Sequence, residues 1–282
     1  MNLSDINTVK KILSENGFSF KKSLGQNFLI DSSVCPAMAE SAANSETGVL
    51  EIGPGIGVLT VECAAVAKRV VAVELDERLK PVLAKTLAEF DNCEVVFGDA
   101  LKMDLNALIA EKFSDCSKVA VCANLPYYIT SPLIIKLLES RLNIDSLTVM
   151  VQKEAAERIC AEVGTREAGA LSVYVSYFAE PEILFEVERD SFVPAPNVDS
   201  AVIRLSIRKE PPVRVQDEQG FFTFVKACFA QRRKTFLNSV CNTLKVDKEK
   251  ARETLVKLGI DEAVRSEALT MEQLASIYNI LF

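Results

Sequence analysis

At 282 residues and 49% hydrophobic content, the chain has room for one sizeable α/β domain and a smaller partner. It contains no histidine, which excludes Ser-His-Asp and Cys-His catalysis, and its eight cysteines occur without a Cys-x-x-Cys pair, so no metal site is expected. The net charge of −7 is unevenly spread, because Leu205 to Phe282 carry 13 Lys+Arg against 10 Asp+Glu and so hold the basic surplus.

Ile6 to Asn16 reads as an amphipathic helix stopped by Gly17, and Ser32 or Ser33 caps a helix through about Ala43. Gly48 to Ile52 is an apolar strand running into Gly53-Pro54-Gly55-Ile56-Gly57, with a helix from Val58. Arg69 to Val73 is a second strand ending at Glu74, Glu77 to Leu87 a helix, and Glu94 to Phe97 a third strand ending at Gly98-Asp99. Val119 to Ala123 is a fourth strand and closes on Asn124-Leu125-Pro126-Tyr127. Ser131 or Pro132 then opens a helix through Leu138, and Leu147 to Val151 gives a fifth strand. Short apolar strands alternating with helices predict an α/β fold with a doubly wound, Rossmann-like parallel sheet, whose ligands sit at the C-terminal strand ends.

Past Val151 the pattern gives a helix from Lys153 to Cys160, a loop from Gly164 to Gly169, and an edge hairpin of Ile183 to Val187 with Ala201 to Ile207. The loop Phe192-Val193-Pro194-Ala195-Pro196 lies between those strands. Pro211-Pro212 reads as a linker, and only helical patterns follow, at Phe221 to Phe229, Arg233 to Leu244, Lys248 to Leu258 and Met271 to Leu281. The expected division is therefore a larger domain over 1–207 and a small all-helical domain over 208–282. No apolar run is long enough to span a membrane and the N-terminus lacks the features of a signal peptide, so a cytoplasmic protein with idle, reduced thiols is expected.

The strand-end residues carry the chemistry. A glycine turn between strand and helix lets backbone N–H groups approach a ligand, and an acidic residue ending the next strand, here Glu74, accepts both ribose hydroxyls. Gly53-Pro54-Gly55-Ile56-Gly57 departs from the dinucleotide spacing Gly-x-Gly-x-x-Gly, and Pro54 removes an N–H that could face a pyrophosphate. A ligand without phosphates fits better, and S-adenosylmethionine is one; a nicotinamide dehydrogenase is the competing enzyme class. Asp99 suits the adenine amino group of such a ligand. The Asn124 side-chain oxygen and the Leu125 carbonyl, which precedes Pro126, can accept hydrogen bonds from the two N–H groups of an exocyclic amine while Tyr127 stacks on the base. That points to methyl transfer onto an amine such as adenine N6. Asn-x-Pro is also an ordinary strand-ending turn, and Gly53, Gly55 and Gly57 an ordinary strand-to-helix turn; the joint order of the groups along the chain favours the chemical reading.

Lys21-Lys22-Ser23-Leu24-Gly25-Gln26-Asn27-Phe28-Leu29, Glu51-Ile52-Gly53-Pro54-Gly55, Glu74-Leu75-Asp76, Gly98-Asp99-Ala100 and Asn124-Leu125-Pro126-Tyr127 together resemble the ribosomal RNA adenine dimethyltransferases. So do the stretch from Asp190 to Val202 and Gln231-Arg232-Arg233-Lys234-Thr235. The likeness runs from about Lys10 to the C-terminus and is greatest to the small-subunit branch of the family. It implies transfer of two methyl groups from S-adenosylmethionine to N6 of each of two adjacent adenosines near the 3′ end of 16S rRNA, within the small ribosomal subunit or its precursor. Asn27, Leu29, Gly53, Glu74, Asp99 and Asn124 match the family's cofactor contacts, and Gly55 belongs to the same turn. Tyr127 and Phe192 match the aromatic pair that sandwiches the flipped adenine. Lys21, Lys22, Arg232, Arg233 and Lys234 are the expected RNA-binding cations, although such clusters are also ordinary solvated faces. Three alternatives stand beside this reading: a relative that modifies 23S rRNA, a DNA adenine methyltransferase, against which Leu125 speaks, and an assembly checkpoint in ribosome biogenesis with catalysis secondary. A monomer is expected.

Overall fold

The computed structural model describes residues 3, 5–15, 28–231 and 233–282; Lys21, Lys22, Asn27 and Arg232 lie outside the described residues. Helix α1 (Ile6–Glu15) is opened by Asp5, whose carboxylate accepts the Thr8 N–H at 2.9 Å. Val9 and Ile12 on its buried face pack with Ile56, Leu79, Val82 and Leu83. Then follow β1 (Phe28–Leu29), α2 (Val34–Ala42), β2 (Thr47–Ile52), α3 (Val58–Val66), β3 (Arg69–Glu74), α4 (Lys80–Thr86), β4 (Cys93–Phe97), α5 (Leu105–Lys112), β5 (Lys118–Asn124), α6 (Thr130–Glu139) and β6 (Ser146–Gln152). Strands β2, β3, β5 and β6 are buried over almost their whole length, as continuous apolar runs must be when helices cover both faces of a sheet. The chain continues through α7 (Lys153–Cys160), α8 (Ala170–Phe178), β7 (Ala179–Val187), β8 (Phe192–Val193) and β9 (Ser200–Ile207), and ends in α9 (Glu218–Phe229), α10 (Phe236–Leu244), α11 (Lys248–Lys257) and α12 (Met271–Leu281).

The seven-stranded sheet has the order β4-β3-β2-β5-β6-β9-β7. Strands β4, β3, β2, β5 and β6 are parallel, and β9 runs antiparallel to β6. Because β2 lies between β3 and β5, the connections leaving β2 and β5 part to opposite sides and leave a crevice at the C-terminal strand ends. The doubly wound α/β architecture and the helical C-terminal region are those expected from the sequence pattern.

By its internal contacts the chain forms two units, Met1–Ala156 with Glu182–Ile207, and Glu157–Pro181 with Arg208–Phe282. The expected single division after Ile207 is amended by this: the excursion 157–181 groups with the C-terminal helices. The physical reason is aromatic packing, since Tyr174, Tyr177 and Phe178 of α8 lie 4.4, 5.1 and 5.4 Å from the ring of Phe222 on α9. Helix α8 itself was not expected, because Ala-Leu-Ser-Val-Tyr-Val-Ser-Tyr-Phe reads as strand by propensity. Its burial on most sides and the Gly169 N–H donated to Ser172 Oγ at 2.9 Å hold it helical. The short helix α5 was also missed, although Asp104 caps it by accepting the Ala107 N–H at 3.0 Å. Helix α10 starts at Phe236, three residues later than expected, after the extended Thr235. Phe192 and Val193, expected as loop, pair with Leu29 and Phe28. Among the described residues no helix is long and apolar enough to cross a membrane.

Candidate active site

The crevice of the first unit encloses a cavity of about 440 Å³, a size suited to a nucleoside-sized ligand. Leu29, Gly53, Gly55, Glu74, Asp99, Asn124, Leu125, Pro126, Tyr127 and Phe192 all line it, so the described residues assigned to cofactor and base converge on one place.

The glycine turn follows from backbone conformation. Gly53 and Gly55 have φ of +75° and +59°, in the left-handed region that costs a side-chain-bearing residue about 1–2 kcal/mol. A Cβ built at either position meets nothing within 4 Å, so the turn leaves open space above its backbone. The Gly53 N–H donates to the Val73 carbonyl at 2.9 Å, tying the turn to β3. At the end of β3, Glu74 Oε2 accepts the Gly55 N–H at 3.2 Å and Oε1 accepts the Asp76 N–H at 2.8 Å. Burial raises the Glu74 pKa, and these backbone donors oppose the shift. Leu75 beside it lines the cavity yet is 66% exposed. At the end of β4, Asp99 Oδ1 accepts the Leu101 N–H at 3.0 Å, while Oδ2 lies 3.5 Å from the Lys102 ammonium.

Asn124 ends β5 half-buried, and its side-chain amide makes no hydrogen bond among the described residues. Leu125 donates its N–H to the Met150 carbonyl at 3.3 Å, which fixes the peptide plane, and its own carbonyl accepts nothing from the described residues. Pro126 then starts a 3₁₀ turn, Tyr127–Ile129, that leads into α6. The Tyr127 hydroxyl and Ser200 Oγ are hydrogen-bonded at 2.8 Å, with Ser200 wholly buried at the start of β9. Phe192 is more enclosed than a stacking ring would be: only 3% exposed, it packs with Leu29, Cys35 and Met38 and presents part of its surface to the cavity. Leu29 and Phe192 are paired residues of the β1–β8 ribbon, and the Ile30 N–H donates to the Ser191 carbonyl at 2.8 Å.

Sequence reasoning assigned no role to Glu51 or Ser200. Glu51 stands in the fully buried β2, is 1% exposed, lines the cavity, and its Oε2 has no hydrogen-bond partner among the described residues. Burial pushes its pKa up to about 8, against the opposing pull of the nearby Thr60 hydroxyl and with a smaller push from the Glu74 charge. A carboxylate near the C-terminal end of a buried central strand was the signal, since such residues are rarely enclosed without a purpose. All eight cysteines are free. Cys35 also lines the cavity, and burial pushes its thiol up, away from reactivity. No group of metal-ligating side chains occurs among the described residues.

In the second unit, Asp217, Asp247 and Thr270 cap α9, α11 and α12. Arg233 and Lys234 lie before α10, exposed, and neither forms an ion pair among the described residues.

Residues 17–282 match the family of ribosomal RNA adenine dimethylases. The chain belongs to this family. The dimethylase match excludes the nicotinamide alternative, and S-adenosylmethionine is the methyl donor. The cavity suits that donor: the glycine turn is open, and among the described residues Glu51 Oε2 is the buried carboxyl oxygen without a partner, able to ionise opposite a cationic ligand. A ribosomal RNA small subunit methyltransferase A of Geobacillus thermodenitrificans is 51% identical over 276 residues, which cover 96% of this chain and 94% of that one. Its namesake in Bacillus licheniformis is 50% identical over 270 residues, 94% and 92% of the two chains. Among solved structures, a dimethyladenosine transferase from Plasmodium falciparum superposes with a TM-score of 0.73 at 28% identity over 88% of this chain and 95% of its own. A 23S rRNA methyltransferase, ErmE, gives 0.69 at 29% identity, over 90% and 99%.

Proposed function

We propose that this dimethylase converts two adjacent adenosines near the 3′ end of 16S rRNA to N6,N6-dimethyladenosine, acting as a monomer on the small ribosomal subunit or its precursor in the cytoplasm, as one step of ribosome biogenesis. The observation that carries the chemistry is the pair of unclaimed acceptors, Asn124 Oδ1 and the Leu125 carbonyl, on the wall of the cavity that also holds the glycine turn. The choice of small-subunit RNA is supported by relatives of that name at 51% and 50% identity, against 29% for the 23S enzyme.

When bound, S-adenosylmethionine supplies a methyl group on a sulfonium, which an amine takes up with release of a neutral thioether. The chain's own residues do the rest. Glu74, steered by the Gly55 and Asp76 N–H groups, keeps lone pairs for the ribose hydroxyls. Leu75 gives the adenine ring an apolar face, Asp99 accepts from its amino group, and Leu29 closes the pocket through β1. Glu51 faces the cationic end. Asn124 and Leu125 accept both N–H bonds of the target N6, which holds the amine in line and returns electron density to its nitrogen. No histidine or other base is needed, because the alkylated nitrogen is cationic and gives its proton to solvent. Positioning of this kind supplies several kcal/mol of the barrier reduction. Tyr127, oriented by Ser200, stacks on one face of the base, and Phe192 closes the other side. Arg233 and Lys234 hold RNA phosphates, a role extended to Lys21, Lys22 and Arg232, and Asn27 completes the cofactor contacts.

Removing one oriented polar group from such a site costs about 10²–10³ in kcat. Asn124→Ala is therefore expected to lose at least that much in single-turnover methylation of undermethylated small subunits. A variant that methylates at near the wild-type rate sinks this reading of the site.

A further inference from the structure

Among the described residues, the exposed large hydrophobic side chains that also line the cavity are Leu75 and Tyr128. Leu75 follows Glu74 and is accounted for by the adenine of the methyl donor. Tyr128 has no such account. It is 65% exposed, yet it sits at the cavity mouth directly after the ring assigned to the target base. Isolated apolar residues on a surface need no explanation, but a bare aromatic ring on the lip of a binding site does.

The backbone explains why the two tyrosines part company. In a 3₁₀ turn, three residues complete each turn, so consecutive side chains diverge by about 120°. Tyr127 is drawn to Ser200, whereas Tyr128 is left on the rim. The turn is also held firmly: the Pro126 carbonyl accepts the Ile129 N–H at 3.1 Å and the Thr130 hydroxyl at 3.4 Å. Leu133, Ile134, Leu137 and Leu138 of α6 anchor it in the core. Tyr128 is thus an aromatic face presented on a rigid support.

A nucleotide turned into a pocket leaves its neighbour with one face unstacked. Single-stranded RNA sites meet that need with exposed aromatic rings, which accept any base because every base has a π-face. We propose that Tyr128 is a second stacking platform, which holds the nucleobase adjoining the one inserted in the cavity. This rests on the reading that an RNA adenine enters the cavity. Because the ring accepts any base, it receives the nucleotide on its own side of whichever adenosine is inserted, and so serves both rounds of modification.

The test is steady-state methylation of undermethylated small subunits by the full chain carrying Tyr128→Ala, Tyr128→Phe or Tyr128→Trp, with donor affinity measured separately by calorimetry. One base stacked on one ring corresponds to a change of roughly 5- to 160-fold in affinity. Tyr128→Ala should raise KM for subunits by an amount in that range, with kcat changed no more than a few-fold and donor Kd unaltered. Phe and Trp, which keep the ring, should restore KM and also show that the turn tolerates substitution. An unchanged KM in the alanine variant overturns the proposal, as does a phenylalanine variant as poor as alanine, which would mean that the hydroxyl matters and the ring does not. A donor Kd that weakens in step with KM also overturns it, by assigning Tyr128 to the donor site. Absence of N6-methylated adenosine with the wild-type protein is a separate result and rejects the underlying function.

Discussion

Glu51→Gln removes a titratable group from the cavity wall with almost no change in shape, and its consequences can be worked out from burial. In the free protein the carboxyl is 1% exposed and its pKa is pushed up to about 8 from an ordinary value of 4.5. At pH 7 it is therefore about nine-tenths protonated, so a cationic ligand that requires the ionised form must expel about 0.9 proton on binding. Affinity for S-adenosylmethionine should rise by nearly tenfold per pH unit below 8 and level off above it. The ligand's own α-amino group titrates at about 7.7–8.0, but it does so with either protein, so the difference between wild type and Glu51→Gln isolates Glu51. Calorimetric titration from pH 6 to 9, in buffers of different ionisation enthalpy, measures the protons released. The account expects wild type to release close to one more proton than the variant at pH 7; equal release by both proteins refutes it. Stability should follow the same group. A carboxyl whose pKa is raised on folding contributes fully below about 4.5, and that contribution is lost as pH rises through about 8. The wild-type Tm should therefore fall relative to Glu51→Gln across that window.

Gly55→Ala places a side chain at φ +59° with nothing in its way, so the protein should fold with a loss of about 1–2 kcal/mol and a weaker donor site; an unchanged Tm and donor Kd would contradict the role of the turn. Ser200→Ala removes the 2.8 Å bond to the Tyr127 hydroxyl, worth about 1 kcal/mol. It should lower kcat a few-fold, as should Tyr127→Phe, and the double variant should be no worse than either; additive losses would show that the two groups act separately. Replacing Arg233 and Lys234 by alanine should weaken small-subunit binding and flatten its dependence on log salt by about 1–2, with donor affinity untouched. An unchanged salt slope removes both residues from the RNA contact.

The strand-end groups were legible in the sequence because a parallel sheet forces them together. Once β2, β3, β4 and β5 are recognised as neighbouring strands, Gly53, Glu74, Asp99 and Asn124 can only ring one crevice. Glu51 escaped because period and composition say that β2 is buried but not which side chain reaches a cavity. Ser200 escaped because its partner Tyr127 is 73 residues away in sequence, a pairing set by the antiparallel return of β9. The direction of Tyr128 depends on a 3₁₀ turn between the strand-ending Asn124–Tyr127 and the helix expected from Ser131 or Pro132, a stretch to which the sequence pattern assigns no element. The misassigned excursion 157–181 shows the same limit at larger scale, because rings on α8 find their partners on α9 through packing that local propensity does not encode. Phe192, expected to stack on the base, lines the cavity, but the depth at which it is held in the core could only come from the structure.

The most direct test is to incubate the purified chain with tritiated S-adenosylmethionine and undermethylated small subunits, beside large subunits, and to digest the labelled RNA to nucleosides. The account predicts N6,N6-dimethyladenosine from small-subunit RNA alone, with the label confined to two adjacent adenosines near the 3′ end of 16S rRNA. Label in 23S rRNA, or a labelled nucleoside other than N6-methylated adenosine, would contradict it.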